Sequence, residues 1–275
     1  MTTNTTRTLS PSRRDFMKGC AAAIGGVALI ASDQALGASA AGLTVGGQAQ
    51  HAPISAVELV AQIREDLREI DEQIRNHRYL RLLRKGKVSL EALRAFPGHE
   101  YHTVISDLRS MGQMVHRFGD EPLASAFFNG ILQGEFVALG AIVVFARKLD
   151  MTEQDLQRYE VTPDGFTYTT FMAWESVYAS AAAIVCGILV NFAAWGHNCG
   201  VMSAALRDKY GFSEEETAFL DNFATLPSFE DTALAIIQHG LDHGADPAEI
   251  RRSARLYQAY EKMFWDAMAA IARAD

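Results

Sequence analysis

The 275-residue sequence predicts an all-α fold, a single-domain bundle of about seven to nine helices. Three observations predict it. Apolar residues recur in steps of three and four, no stretch alternates with the two-residue period of a strand, and residues that start or stop helices punctuate the chain. With 49% hydrophobic residues, the chain has ample material for one core. A net charge of −8 argues against a nucleic-acid partner, which needs a clustered Lys/Arg footprint. The basic run Arg78-Tyr-Leu-Arg-Leu-Leu-Arg-Lys85 is interleaved with apolar residues and reads as the solvated face of a helix.

Residues 1–40 read as a removable export signal. Ser12-Arg-Arg-Asp-Phe-Met-Lys18 resembles the twin-arginine motif, with Met17 where Leu is more usual. An uncharged Ala/Gly-rich stretch follows, and Ala38-Ser39-Ala40 offers the small residues a signal peptidase reads. This predicts a bacterial periplasmic or secreted protein, with the twin-arginine translocase as its export partner. Loss of the signal removes four basic and two acidic side chains and leaves a net charge of −10.

Residues 41–54 are a Gly-, Ala- and Gln-rich linker, and 55–275 form the helical domain. Ser55 caps a helix carried by Val57, Leu59, Val60, Ile63, Leu67, Ile70 and Ile74, which Lys85-Gly86-Lys87 breaks. Ser89 caps a short helix, and a long one runs from about Pro97 to Arg117. After Gly119-Asp-Glu-Pro122 a mostly apolar helix spans about Leu123–Leu149, and Thr152-Glu-Gln-Asp155 is a capping sequence. Thr162-Pro-Asp-Gly165 is a turn before a helix from about Thr167 to Tyr210, with Gly196 and Gly200 as the candidate positions for a break or kink. Ser213-Glu-Glu-Glu216 caps a further helix, broken near Pro227, and Asp246-Pro247 opens the last one, to about Ala272.

The segment Ser176–His197 contains no Asp, Glu, Lys or Arg and is long enough to span a bilayer. A central bundle helix surrounded on all sides is equally apolar, and Asn191 and Trp195 favour that reading over a membrane span. Cys20 lies in the signal. Cys186 and Cys199 are thirteen residues apart, roughly 20 Å along one helix, too far for a disulfide. Three polar residues stand out within apolar helices: Glu135, Asn191 and Glu261. A buried carboxylate costs several kcal/mol unless it is paired or takes up a proton, so such groups on separate helices are candidates for one pocket.

From about His77 to Met268 the chain resembles the TenA family of aminopyrimidine hydrolases (thiaminase II), which have the haem-oxygenase-like fold. The similarity lies in Phe145-Ala-Arg-Lys-Leu-Asp-Met-Thr152, in Pro163-Asp-Gly-Phe-Thr-Tyr-Thr-Thr-Phe-Met172, and above all in Tyr257-Gln-Ala-Tyr-Glu-Lys-Met-Phe-Trp265. The resemblance implies that Glu261 is the catalytic Glu. It implies that Glu100, an Asp in the family, holds the ring amino group of the pyrimidine. Tyr168 keeps a family Tyr, whereas Thr103, Trp195 and Phe223 fall where the family has Tyr. Asn191 falls at the nucleophilic Cys, and a carboxamide cannot attack as a thiolate does. Glu135 and Tyr257 complete the candidate substrate-binding set.

The leading expectation is therefore an exported hydrolase acting on a C–N bond of a thiamine-related aminopyrimidine without the Cys nucleophile. A non-catalytic periplasmic binding protein for an aromatic N-heterocycle is the alternative. A second alternative is a di-iron or di-manganese oxidase of the same fold, using Glu135 and Glu261. It lacks a His seven residues after Glu135, where Ile142 stands, and no cofactor is predicted. His239 and His243 read as a helix C-terminal pair. Relatives of this type often form oligomers, which implies a homo-oligomer.

Overall fold

The computed structural model describes residues 54–274. The export signal expected at 1–40, and all but the last residue of the linker, lie outside the described residues. Within them the chain is all-α, as expected. The helices are α1 (Ala56–Asp66), α2 (Arg68–Arg75), α3 (Arg78–Arg84), α4 (Leu90–Leu93), α5 (Ala95–Arg117) and α6 (Pro122–Arg147). They continue with α7 (Glu153–Gln157), a 3-10 turn (Asp164–Phe166), α8 (Thr167–Tyr178) and α9 (Ala181–Tyr210). Last come α10 (Ala218–Ala224), α11 (Glu230–Asp242) and α12 (Pro247–Ala274). Eight of these are eight residues or longer, and the shorter pieces connect them.

Local sequence explains most boundaries. Ser55 and Thr152 form reciprocal capping boxes with Glu58 and Asp155. Pro122 starts α6, and Gly211 ends α9 in the left-handed conformation at φ 68°. Two boundaries differ from expectation. The helix expected from Ser55 to Arg84 is divided at Leu67 and again at Asn76–His77, where the His77 ring accepts from Tyr79 N. The helix expected over 167–210 runs unbroken through Gly196 and Gly200. It breaks at Ala179–Ser180, where Ala179 is extended at ψ 157°.

That break is stabilised by two distant charged residues. The Arg117 guanidinium donates to the carbonyls of Glu175, Ser176 and Ala179, satisfying the C-terminus of α8. Glu249 accepts from the backbone N and the hydroxyl of Ser180, which itself caps Ala183 N at the start of α9.

α9 is the central element. It packs on α12, α10, α11, α3 and α2. Helices α6 and α9 are long and apolar enough to cross a membrane, by length and composition alone. In α9, however, two-thirds of the apolar window is buried by other helices, which is why it can be apolar all round. The core is two apolar clusters. One gathers Phe96, Phe145, Trp195, Phe219, Phe264 and Trp265; the other gathers Phe127, Phe128, Ile184, Ile188 and Tyr257. Cys186 and Cys199 are buried free thiols.

Gly187 is the notch through which α12 approaches α9. A Cβ there would overlap the Tyr257 ring and come within 2.9 Å of Ser253 Oγ. Gly187→Ala is expected to destabilise the fold by about 1–3 kcal/mol. Gly112→Ala, in α5 with nothing within 4 Å of the new Cβ, is expected to stabilise it by about 0.5–1 kcal/mol. Urea unfolding of the two variants beside wild type checks both signs.

Candidate active site

Six helices and the 3-10 turn line one cavity on the seam between the two clusters. α5 contributes Glu100, Thr103, Val104, Asp107 and Met111, spaced so that they share a face. α6 contributes Ile131 and Glu135, one turn apart, and α8 contributes Tyr168, Thr169 and Met172. α9 contributes Asn191, Phe192 and Trp195, α10 contributes Phe223, and α12 contributes Glu261 and Phe264. The free space is about 50 Å³, room for a few waters or a tightly fitted single ring.

Glu261 is the most firmly held polar group. Its Oε1 accepts from Trp265 Nε1 at 2.7 Å, and its Oε2 accepts from Asn191 Nδ2 at 3.4 Å. Trp265 lies one helical turn along α12, so one helix fixes half of the arrangement. Asn191 Nδ2 also donates to Gln258 Oε1 at 3.3 Å, and Gln258 Nε2 donates to Asp71 Oδ1 at 3.1 Å. With its amide protons directed at protein acceptors, Asn191 has its carbonyl oxygen left to offer a ligand.

The aromatic wall is equally constrained. Trp195 stacks on Phe96 at 12° and meets Phe223 and Phe264 edge-on. The turn before α8 is seated by His99, a buried residue that sequence reasoning passed over. Its Nε2 accepts from Thr162 N at 2.9 Å, so its Nδ1 carries the proton and donates to Ala95 O at 2.8 Å. Burial pushes the His99 pKa down, consistent with this neutral form. Gly165 allows the contact, since a Cβ there would lie 2.6 Å from the His99 ring. The Thr103 and Thr169 hydroxyls bond at 2.8 Å and join α5 to α8 inside the cavity.

Four carboxyl groups face this space, and no Lys, Arg or His lines it. Glu100, Asp107, Glu135 and Glu261 are each no more than 6% exposed. Burial pushes Glu100 well above the usual carboxylate range, and Glu261 and Asp107 add to the shift. Burial, then Asp107 and Glu100, do the same to Glu135. Burial lifts Asp107 to about 8, and its Oδ1 has no hydrogen-bond partner. Glu261 is lifted by burial to about 7, against the opposing pull of the Trp265 and Asn191 hydrogen bonds. Burial raises the Tyr168 phenol as well, with the four carboxyls contributing.

The structure thus brings together eight of the nine residues selected from sequence: Glu100, Thr103, Glu135, Tyr168, Asn191, Trp195, Phe223 and Glu261. Tyr257 stands apart. It is fully buried, donates to Met172 Sδ at 3.1 Å and packs edge-on against Tyr168 and Phe171. The Gly187 notch draws its ring between α8 and α9, behind the cavity wall. Asp107 was missed, although it lies seven residues after Glu100 and so on the same helical face. Among the described residues no group of three or more His, Cys, Asp or Glu is arranged to hold a metal ion.

The all-α bundle has the haem-oxygenase-like fold, which solved structures share. A TenA homolog from Pseudomonas syringae pv. tomato is 18% identical, with a TM-score of 0.66 over 82% of this chain and 99% of that one. The TenA homologue from P. horikoshii is 17% identical, with a TM-score of 0.63 over 78% and 99% of the two chains. Haem oxygenase-1 from Synechocystis, solved in complex with haem, is 14% identical, with a TM-score of 0.52 over 78% and 95%. Residues 64–270 match the TENA/THI-4/PQQC family, and the chain belongs to that family. No curated protein matches it significantly in sequence.

The raised carboxyl pKa values make stability depend on pH. A carboxyl whose folded pKa lies above its unfolded value stabilises the fold fully below the unfolded value. That contribution is lost as pH rises through the folded one. For Asp107 the window runs from its ordinary 3.8 to about 8. Asp107→Asn should therefore gain stability over wild type as pH rises from 5 to 8, by more than about 1 kcal/mol. Urea unfolding at several pH values measures this, and parallel profiles would show that Asp107 ionises freely in the folded protein.

Proposed function

We propose that the cavity binds a thiamine-related aminopyrimidine and that Glu261 drives hydrolysis of a C–N bond in it. The observation that carries this reading is the Glu261 carboxyl itself. It is buried, oriented by two donors, and poised near neutrality at about 7, where one group can both take and give a proton.

In the proposed step Glu261 removes a proton from water, the water oxygen bonds to carbon, and the C–N bond breaks. The electron pair leaves with nitrogen, and Glu261 returns the proton to the departing amine. Glu100 accepts from the ring amino group, Trp195 and Tyr168 hold the ring, and the Asn191 carbonyl orients the substrate or the water. Phe223 and Thr103 shape the remaining wall. We extend the proposal to an exported protein, supported by the twin-arginine-like stretch Ser12–Lys18.

One observation favours a second reading, a binding protein without turnover. Asn191 occupies the position that the family resemblance gives to a nucleophilic Cys, and no thiol lines the cavity. Both remaining Cys thiols are buried, and burial pushes their pKa values up. Turnover of aminopyrimidines by wild type separates the readings. The hydrolase reading predicts product from wild type and a loss of about 10²–10⁴-fold in kcat/KM for Glu261→Gln. Tight binding with no product from wild type would favour the binding protein.

A further inference from the structure

Glu100 and Glu261 have roles in the proposed reaction, but two of the four cavity carboxyls do not. Asp107 and Glu135 come from different helices, α5 and α6, and both line the cavity. Burial leaves each only 6% exposed. Asp107 Oδ1 has no hydrogen-bond partner at all. A buried carboxyl without a partner carries a desolvation penalty that a purely structural residue would avoid. The nearby Thr103 and Thr169 hydroxyls bond to each other, and neither is bonded to Asp107 Oδ1. The cavity lining supplies no cation.

We propose that Asp107 and Glu135 form a second recognition point in this cavity, which takes a protonated amine carried by the ligand. This rests on the aminopyrimidine reading of the cavity and narrows it. The ligand would bear two hydrogen-bond-donating nitrogen groups, one at Glu100 and one at the Asp107–Glu135 pair. Asp107 lies seven residues beyond Glu100 on α5, roughly 10 Å along the helix axis. The two anchors therefore favour nitrogens carried on separated ring positions, such as 2 and 4, over nitrogens on adjacent atoms. The ammonium would donate to Asp107 Oδ1 and to Glu135, supplying the counter-charge that the protein withholds. The carboxyls that face it are Glu100, Asp107, Glu135 and Glu261, together with the Tyr168 phenol.

Calorimetric binding of two probes to the folded protein at neutral pH tests the assignment: 4-aminopyrimidine and 4-amino-2-(aminomethyl)pyrimidine. The expected result is that the aminomethyl arm tightens binding to wild type about tenfold or more, the size of a charge-assisted hydrogen bond. In the isosteric double variant Asp107→Asn/Glu135→Gln the ratio of the two affinities is expected to fall to within about twofold of one. Because the readout is a ratio within each protein, a partly unfolded fraction cancels. An unchanged ratio in the variant, or an arm that fails to tighten binding to wild type, would overturn the second recognition point alone. Failure of wild type to bind either probe would overturn the aminopyrimidine reading and this assignment with it.

Discussion

The arrangement depends on one constraint: four carboxyl groups share a small interior space that no cationic side chain enters. Ionising them together there would set like charges against each other in a medium that screens them poorly. No cation pairs with them, so burial, joined by mutual repulsion at Glu100 and Glu135, pushes the pKa values of Glu100, Asp107, Glu135 and Glu261 up and favours their protonated forms. Such a pocket is unfavourable when empty and improves when something carrying donors or positive charge fills it. That property separates a binding site from a set of satisfied core polar groups.

The surrounding bundle keeps those groups fixed. α9 is enclosed by its neighbours, so Asn191 and Trp195 cannot move without repacking both core clusters. α12 carries Glu261 and its anchor Trp265 one turn apart. The 3-10 turn is fastened to α5 by the neutral His99, which sets the start of α8 and with it Tyr168. Arg117 and Glu249 hold the break between α8 and α9, so both helices end against ordered partners. The site is built on rigid elements, the arrangement best suited to holding catalytic groups in position.

Much of this was legible in the sequence. Helical periodicity with cap signals at Ser55, Ser89, Thr152 and Asp246 outlined the bundle, and Glu135, Asn191 and Glu261 stood out as polar residues in apolar surroundings. What escaped depended on partners far along the chain. The break at Ala179–Ser180 contains neither Gly nor Pro and is made by Arg117 and Glu249, about sixty to seventy residues away. Tyr257 shares a helical face with Glu261, yet the Gly187 notch on another helix turns it behind the wall. Asp107 read as an ordinary polar residue of an amphipathic helix. Its seven-residue spacing from Glu100 was the available signal, and only the packing of α6 against that face shows that it is buried.

The central claim is that Glu100, Asp107 and Glu135 carry protons at neutral pH, while Glu261 is divided between its protonated and ionised forms. Infrared difference spectra at pH 7, wild type minus each of Glu100→Gln, Asp107→Asn, Glu135→Gln and Glu261→Gln, test it directly. Surface carboxylates are ionised at that pH and cancel in the subtraction. The account predicts a protonated-carboxyl carbonyl band that loses intensity in these variants and weakens when a cationic heterocycle binds. Difference spectra showing only carboxylate bands for all four positions would contradict it.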